Sequence, residues 1–195
     1  MVAIEPDPVM LSTLRRAAPG ARAICARAEA IPLAAGSATA VTAAQCFDWF
    51  RLEETLPEIH RILQPGGSLV VLFSMLGDGH AFFMEIASRH CGTVRVDTES
   101  PWHEALADTP LFTTVSEHTT SFEQVVDADG LASRAASISY IAALPEPQRQ
   151  RIVSDVRELA VRASADITIP YTYHAFLLRS TVRQQRSVSE PVTSC

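Results

Sequence analysis

No stretch of the 195-residue chain holds the roughly 18 consecutive apolar residues of a spanning helix, which excludes that kind of membrane anchor. The first ten residues, MVAIEPDPVM, lack the basic start, apolar core and small-residue cleavage site of a secretory signal, so a cytoplasmic location is expected. The four cysteines, at positions 25, 46, 91 and 195, form no CxxC pair and no close Cys/His cluster. No HExxH or three-histidine spacing is present, and no metal site is expected. A GxSxG elbow and a GxxxxGK[ST] phosphate loop are also missing, which weighs against hydrolase and nucleoside-triphosphatase chemistry. The formal net charge of -6 argues against a general nucleic-acid binder, which needs a basic face for phosphates. What is there is a chain 47% hydrophobic and 19% charged, without internal repeats, of a size that packs one globular domain.

The stretch from Ala38 to Ser74 organises the rest. ATAVTAA (38–44) reads as a strand, and CFDWF (46–50) as the loop after it. Leu52, Leu56, Ile59 and Leu63 have the spacing of a helix buried on one face. Gln64-Pro65-Gly66-Gly67 is expected to stop that helix in a turn, and SLVVLF (68–73) reads as a strand covered on both faces. Strand, helix and buried strand make a β-α-β unit with a right-handed crossover.

Upstream, Val2–Glu5 is a short strand, and Val9–Ala18 a helix with Met10, Leu11 and Leu14 on one face, capped by Asp7. Ala21–Ala26 is a second strand, and Cys25 and Cys46 read as small buried hydrophobes. Downstream, Leu76–Gly79 is a turn, and His80–His90 a helix packing Phe83, Ile86 and Ala87. Residues 93–110 are irregular by pattern, with Trp102 as the large apolar anchor. Phe112–Phe122 is a strand solvated along one side, and Asp127–Leu144 a broken helical span. Glu146–Ala163 is a helix with Ile152, Val156, Leu159 and Val161 as core, and Ile167–Leu178 closes as a strand. Residues 181–195, Cys195 included, form a polar tail. The fold class is α/β, an open sheet with helices on both faces. Ligands bind such sheets outside the carboxyl ends of the strands, so the loops after Glu5, Ala26 and Ala44 open onto one rim.

Glu5 can accept from the vicinal hydroxyls of a ribose, or simply favour the dipole of the following helix. Glu29 is a second rim acid, with Ile31 and Leu33 as walls for a flat ligand. Asp48 reads as a substrate contact or a turn cap, and Phe47, Trp49 and Phe50 as pocket lining or packing. His60 lies mid-helix, satisfied on its outer side.

Together these pieces resemble the class I S-adenosylmethionine-dependent methyltransferases, above all their UbiE-like and trans-aconitate-methyltransferase-like group. The resemblance rests on VAIEPDPVML (2–11), AEAIPL (28–33), AAQCFDWF (43–50), ILQPGG (62–67), ISYIAALPE (138–146) and ITIPYTYHAFLLRS (167–180). It implies a Rossmann-like methyltransferase domain over residues 1–180, with a helical substrate cover at about 80–163, followed by the tail. S-adenosyl-L-methionine is the implied cofactor and a small molecule the implied acceptor, with no nucleic acid or membrane partner. By the same resemblance Glu5 holds the ribose hydroxyls, Pro6 lies beside the adenine, and Ala28 and Glu29 belong to the cofactor-binding loop in which the Ala28 backbone reads the adenine edge. Gln45 and Phe47 lie beside the methionine part. Arg27 stands where the group often has an acid, and Asp48 where it often has histidine. His80, His103, Tyr140, Tyr171 and Tyr173 are candidates to shape the acceptor pocket, with none assigned as base.

The group's first strand and glycine-rich loop have no counterpart, so an N-terminally truncated sheet is expected. In the group's strand order, 3-2-1-4-5-7-6, the Val2 and Ala38 strands then lack the neighbour between them, unless they pair directly. The expectation is of impaired methyl transfer, and of an oligomer formed through the exposed sheet edge. The alternatives are a non-catalytic remnant or protein-binding α/β domain, and a Rossmann-like oxidoreductase.

Overall fold

A computed structural model describes residues 1–75, 77–91, 102–163 and 167–181, without the side chains of 77–81, 91, 103 and 163. The expectations for the 181–195 tail beyond Thr181, for Leu76, for Gly92 to Pro101 and for the side chains of His80, Cys91 and His103 fall outside this range.

The chain is mixed α/β. Its elements are β1 (Val2–Ile4), α1 (Pro8–Ala17), β2 (Arg22–Ile24), β3 (Ala38–Ala44), a short 3-10 turn (Phe47–Trp49), α2 (Leu52–Ile62) and β4 (Leu63–Met75). There follow α3 (Gly77–Cys91), α4 (Trp102–Asp108), β5 (Phe112–Val126), α5 (Ala128–Ala136), α6 (Ser139–Ala142), α7 (Glu146–Ala163) and β6 (Ile167–Ser180). Helices and strands therefore follow the expected alternation, and a sheet flanked by helices results.

The strands form two sheets, β1-β2 and β3-β4-β6-β5. β1 and β2 are parallel, with Val2 opposite Arg22 and Ile4 opposite Ile24. The Arg22 N–H donates to Met1 O at 3.1 Å and the Glu5 N–H to Ile24 O at 3.2 Å. Alternation along a parallel strand then turns the polar groups of Val2 and Ile4 away from β2. Direct pairing of the Val2 and Ala38 strands is not what forms. β1 pairs with β2, and β3 ends its own sheet beside β4.

Two compact units are evident. The first comprises Met1–Val71, Trp102–Ser116 and the stretch from Phe176; the second, Leu72–Pro101 and Glu117–Ala175. In the first, Leu56, Ile59, Ile62, Leu69 and Val71 are buried, as the helix and strand periodicities require. Trp102 is 2% exposed and lies edge-on to Phe47 and Phe176, at centroid distances of 5.8 and 5.4 Å. It sits on a helix, α4, where the sequence pattern read as irregular. In the second unit, Phe83, Ile86 and Ala87 of α3 pack with Leu131, Ile141, Ile152, Val156 and Ile169. Val161, expected in this core, is exposed, and Ala160 is buried in its stead, one position round the helix.

Other departures have local causes. Met10 is 62% exposed because only Leu11 of α1 is buried. Cys25 is exposed and Cys46 partly so, against the expectation of buried thiols, since both follow strand ends at a loop. His60 is buried, with Nε2 2.9 Å from Thr181 O and its ring edge-on to Phe112. β5 reaches Val126, and every residue from Thr113 to Val125 is exposed, because this strand ends the sheet order.

The expected turn at 64–67 falls within the span of β4, which already begins at Leu63, and the chain is bent there. Distant residues fasten it: Ser180 Oγ donates to Gln64 O (3.1 Å), and Arg179 Nη1 to Gly66 O (3.3 Å) and Ser68 Oγ (2.8 Å). Gly66 supplies a φ of 72°, which a side chain would strain. At Gly67 a Cβ would lie 2.9 Å from Gln64 O and 3.2 Å from Thr39 O. Gly67→Ala is therefore expected to cost about 1–3 kcal/mol, since backbone must shift to admit the methyl group. Gly20→Ala, with open space around it, leaves the melting temperature unchanged; thermal denaturation of the two variants checks the contrast.

Candidate functional site

The loops after β1, β2 and β3 meet in the first unit. Asp7 caps α1, its carboxylate accepting from the N–H groups of Val9 (2.7 Å) and Met10 (2.9 Å), and Pro8 enters the first turn without a wasted donor. That cap fixes the loop after β1. The Asp7 N–H in turn donates to Glu5 Oε1 at 2.8 Å, so Glu5 is held by one oxygen at the strand end. Cys25 Sγ, after β2, donates to Pro6 O at 3.6 Å. Cys46, after β3, lies within electrostatic range of both Glu5 and Asp48.

Cys46 is held as a neutral thiol. Burial pushes its pKa up, and the Glu5 and Asp48 carboxylates add to this against a backbone hydrogen bond to Ala44. A neutral thiol is a poor nucleophile, so its role at the rim is shape and polarity. Gln45, between β3 and Cys46, has a φ of 54°, the one non-glycine residue with positive φ among the described residues. A left-handed residue costs on the order of 1–2 kcal/mol, and such strain clusters at functional loops.

The loop after β2 is fastened to α2. Glu58 Oε1 accepts from the Ile31 N–H at 2.7 Å. Arg61 Nη1 donates to Leu33 O (2.8 Å) and Nη2 to Ile31 O (2.9 Å), while Nε reaches Glu58 Oε2 (2.6 Å). Glu29 Oε1 accepts from the Arg51 N–H at 3.2 Å, ahead of α2, and Oε2 takes Arg27 Nε at 3.4 Å. The structure thus spends the Glu29 carboxylate on its own framework, with 6% of the side chain exposed. Ile31, expected as a ligand wall, is buried, with its N–H on Glu58.

Of the rim residues singled out from sequence, Glu5 and Ala28 are partly exposed, and Pro6 and Gln45 are exposed. Phe47 is 1% exposed and packs edge-on against Phe50 and Trp102, so its side chain belongs to the core beneath the loop. Trp49, 70% exposed, is the aromatic that the loop presents outward. Sequence reasoning missed the Glu58–Arg61 clamp, although the Glu-x-x-Arg spacing places both on one helix face. Among the described residues no group of three His, Cys, Asp or Glu could hold a metal ion. Nor is any described helix long and apolar enough to cross a membrane.

The methyltransferase domain profile matches residues 1–71, which contain this rim. An uncharacterized methyltransferase of Mycobacterium tuberculosis is 30% identical over 176 residues, covering 88% of this chain and 70% of the relative. The chain belongs to the methyltransferases. An uncharacterized methyltransferase-like protein of Schizosaccharomyces pombe is also 30% identical, over 82% of this methyltransferase and 63% of its own length. Among solved structures, a putative type II methyltransferase from Anaeromyxobacter dehalogenans superposes with a TM-score of 0.61 at 18% identity, covering 92% and 79% of the two chains. The YcgJ protein of Bacillus subtilis gives 0.55 at 13% identity, over 93% and 82%. These structures share the Rossmann-like methyltransferase fold.

The clamp makes this methyltransferase acid-sensitive. The Glu58 carboxyl lies below the ordinary value of 4.5, chiefly through Arg61, against the cost of burial. For Glu29 burial pushes upward, but the Arg51 and Glu29 N–H groups and Arg27 outweigh it and leave the carboxyl below 4.5. The stabilisation is therefore full above the ordinary value and is lost as the pH falls through the lowered range. Glu58→Gln is expected to lower stability by about 1–3 kcal/mol at neutral pH, because Arg61 loses its partner. Its melting temperature then falls less steeply than the parent's on acidification, as thermal melts between neutral pH and the acid limb measure.

Proposed function

We propose that this chain transfers a methyl group from S-adenosyl-L-methionine to a small-molecule acceptor in the cytoplasm. The observation that carries the reading is Glu5. It stands at the end of β1 in a methyltransferase rim, with Oε1 anchored by Asp7 N–H and no partner among the described residues on Oε2. A carboxylate held by one oxygen, with acceptor capacity left over, fits the vicinal hydroxyls of a ribose. Pro6 and the Ala28 backbone supply a surface for the adenine, and the strained Gln45 faces the same rim from the loop after β3. Phe47 supports that loop from beneath, and Glu29 holds the backbone of the adenine-side loop through Arg51.

The methyl donor supplies an electrophilic methyl on a sulfonium, taken by the acceptor in an in-line displacement. What the chain's residues contribute is proximity, orientation and exclusion of water. The acceptor is decided in the second unit, where Tyr171 and Tyr173 lie. Membership in the methyltransferases favours this chemistry over hydride transfer.

Calorimetric titration of the 195-residue chain with S-adenosyl-L-methionine tests the reading. Binding is expected, and Glu5→Ala weakens it by about tenfold or more through loss of charge-assisted hydrogen bonds. Absence of heat with the parent chain, or an unchanged affinity in Glu5→Ala, overturns the assignment of this rim. A second readout uses the thiols. Iodoacetamide labels exposed Cys25 faster than Cys46, and bound donor slows Cys46 labelling further, as peptide mapping reports.

A further inference from the structure

The second unit contains a partly buried cation that no carboxylate among the described residues neutralises. Arg89, Arg149, Arg157 and Arg162 in that unit each reach a carboxylate, on Glu85, Glu146, Asp129 and Glu158. Arg134, on α5, is partly buried and meets none among the described residues. Its Nε donates to Tyr171 Oη at 3.0 Å and its Nη1 to Ser137 Oγ at 3.2 Å. The guanidinium carbon also lies 5.9 Å from the centroid of the Tyr171 ring. That ring is fixed from another side by Phe122, stacked at 5.0 Å with an 8° interplanar angle. Ser137 Oγ is oriented in turn, donating to Arg134 O at 2.8 Å.

Drawing a guanidinium out of water without a counter-charge is unfavourable, and neutral hydroxyls do not compensate for it fully. The arrangement does make the group rigid. Two of its five N–H donors are in use, which leaves one on Nη1 and both on Nη2 to donate to an oxyanion. Tyr171 Oη accepts from Nε and so retains its own proton to donate. A fixed guanidinium beside a free hydroxyl proton is a donor set for an anion.

We propose that Arg134 and the Tyr171 hydroxyl form a binding site for the carboxylate or phosphate group of a small molecule. The site lies in the half of the chain where substrate identity is decided, so under the methyl-transfer reading the anion belongs to the acceptor. The binding itself does not depend on that reading.

The test is titration of the full chain with citrate, inorganic phosphate and neutral glycerol at matched ionic strength, by calorimetry and thermal shift. One of the two anions is expected to bind and glycerol not to, and which anion binds distinguishes a carboxylate ligand from a phosphate one. Arg134→Gln weakens the anion by about tenfold or more. Arg134→Lys, which keeps the charge but loses the fork, recovers part of the affinity, and Tyr171→Phe weakens it less than Arg134→Gln. Arg157→Gln, on the same unit but paired with Asp129, leaves it unchanged. The proposal is overturned if neither anion binds the parent chain, if Arg134→Gln binds as well as the parent, or if Arg157→Gln loses as much. Should Arg134→Gln fail to fold, Arg134→Lys and Tyr171→Phe carry the comparison, and parental affinity in both overturns it. Titrating the variants with S-adenosyl-L-methionine keeps the two readings apart. Donor binding intact in Arg134→Gln with the anion lost supports the site, whereas a parent chain that binds anion but no donor sinks only the methyl-transfer reading.

Discussion

The rim depends on one ion pair spaced a single helical turn apart, Glu58 and Arg61. A loop of irregular backbone leads from β2 to β3, and its polar groups need partners that a sheet does not supply. α2 supplies them from one face: Ile31 N–H, Ile31 O, Leu33 O and Gly36 N–H all end on Glu58 or on Arg61. The opposite face carries Leu56, Ile59 and Ile62 into the core. Amphipathicity thus does two things at once here. It buries the helix, and it points a charged fork at the loop that the methyltransferase reading places against adenine. The Glu29 link to Arg51 N–H closes the same loop onto the entrance of α2, so the loop's two ends are fixed to one rigid element.

The strands tell a complementary story. β1 keeps β2 for company and β3 keeps β4, and the backbone groups of Val2 and Ile4 turned from β2 have no strand across from them among the described residues. β3 is built of alanine, threonine and valine, and Thr39, Ala40, Thr42 and Ala44 are exposed. Small side chains suit a strand crowded on both faces, and their exposure here follows from having one neighbour. The groups at the ends of β1 and β3 influence one another through charge. The Glu5 and Asp48 carboxylates both act electrostatically on the Cys46 thiol, and the neighbouring Gln45 backbone is bent into a left-handed conformation.

Local signals in the sequence carried as far as local physics reaches. Asp7 and Pro8 announce α1, and α7 follows its apolar spacing, because capping and amphipathicity are written within a few residues. Trp102 was legible as an anchor, though not the helix that bears it. At Gln64–Gly67 proline and glycine do bend the chain, with Gly66 at a φ of 72°, but the groups that fasten the bend, on Arg179 and Ser180, lie more than 110 positions away. Phe47 misled because a loop aromatic reads alike whether it points to a ligand or to Trp102 beneath it. His60 had no reason in sequence to be buried, since its acceptor, Thr181 O, is 121 residues along the chain.

Arginine use separates structural charge from charge available to a ligand. Arg61 is partly buried and largely occupied, since the Glu58 carboxylate and the Ile31 and Leu33 carbonyls take four of its five N–H donors. Arg134 has comparable shielding but only hydroxyl and ring partners, which orient a cation without cancelling it. Had selection for stability alone shaped both places, a carboxylate beside Arg134 would serve as it does beside Arg61. The absence of one among the described residues, in a unit whose other ion pairs are exposed and individually weak, is the kind of local inconsistency that binding explains better than folding does.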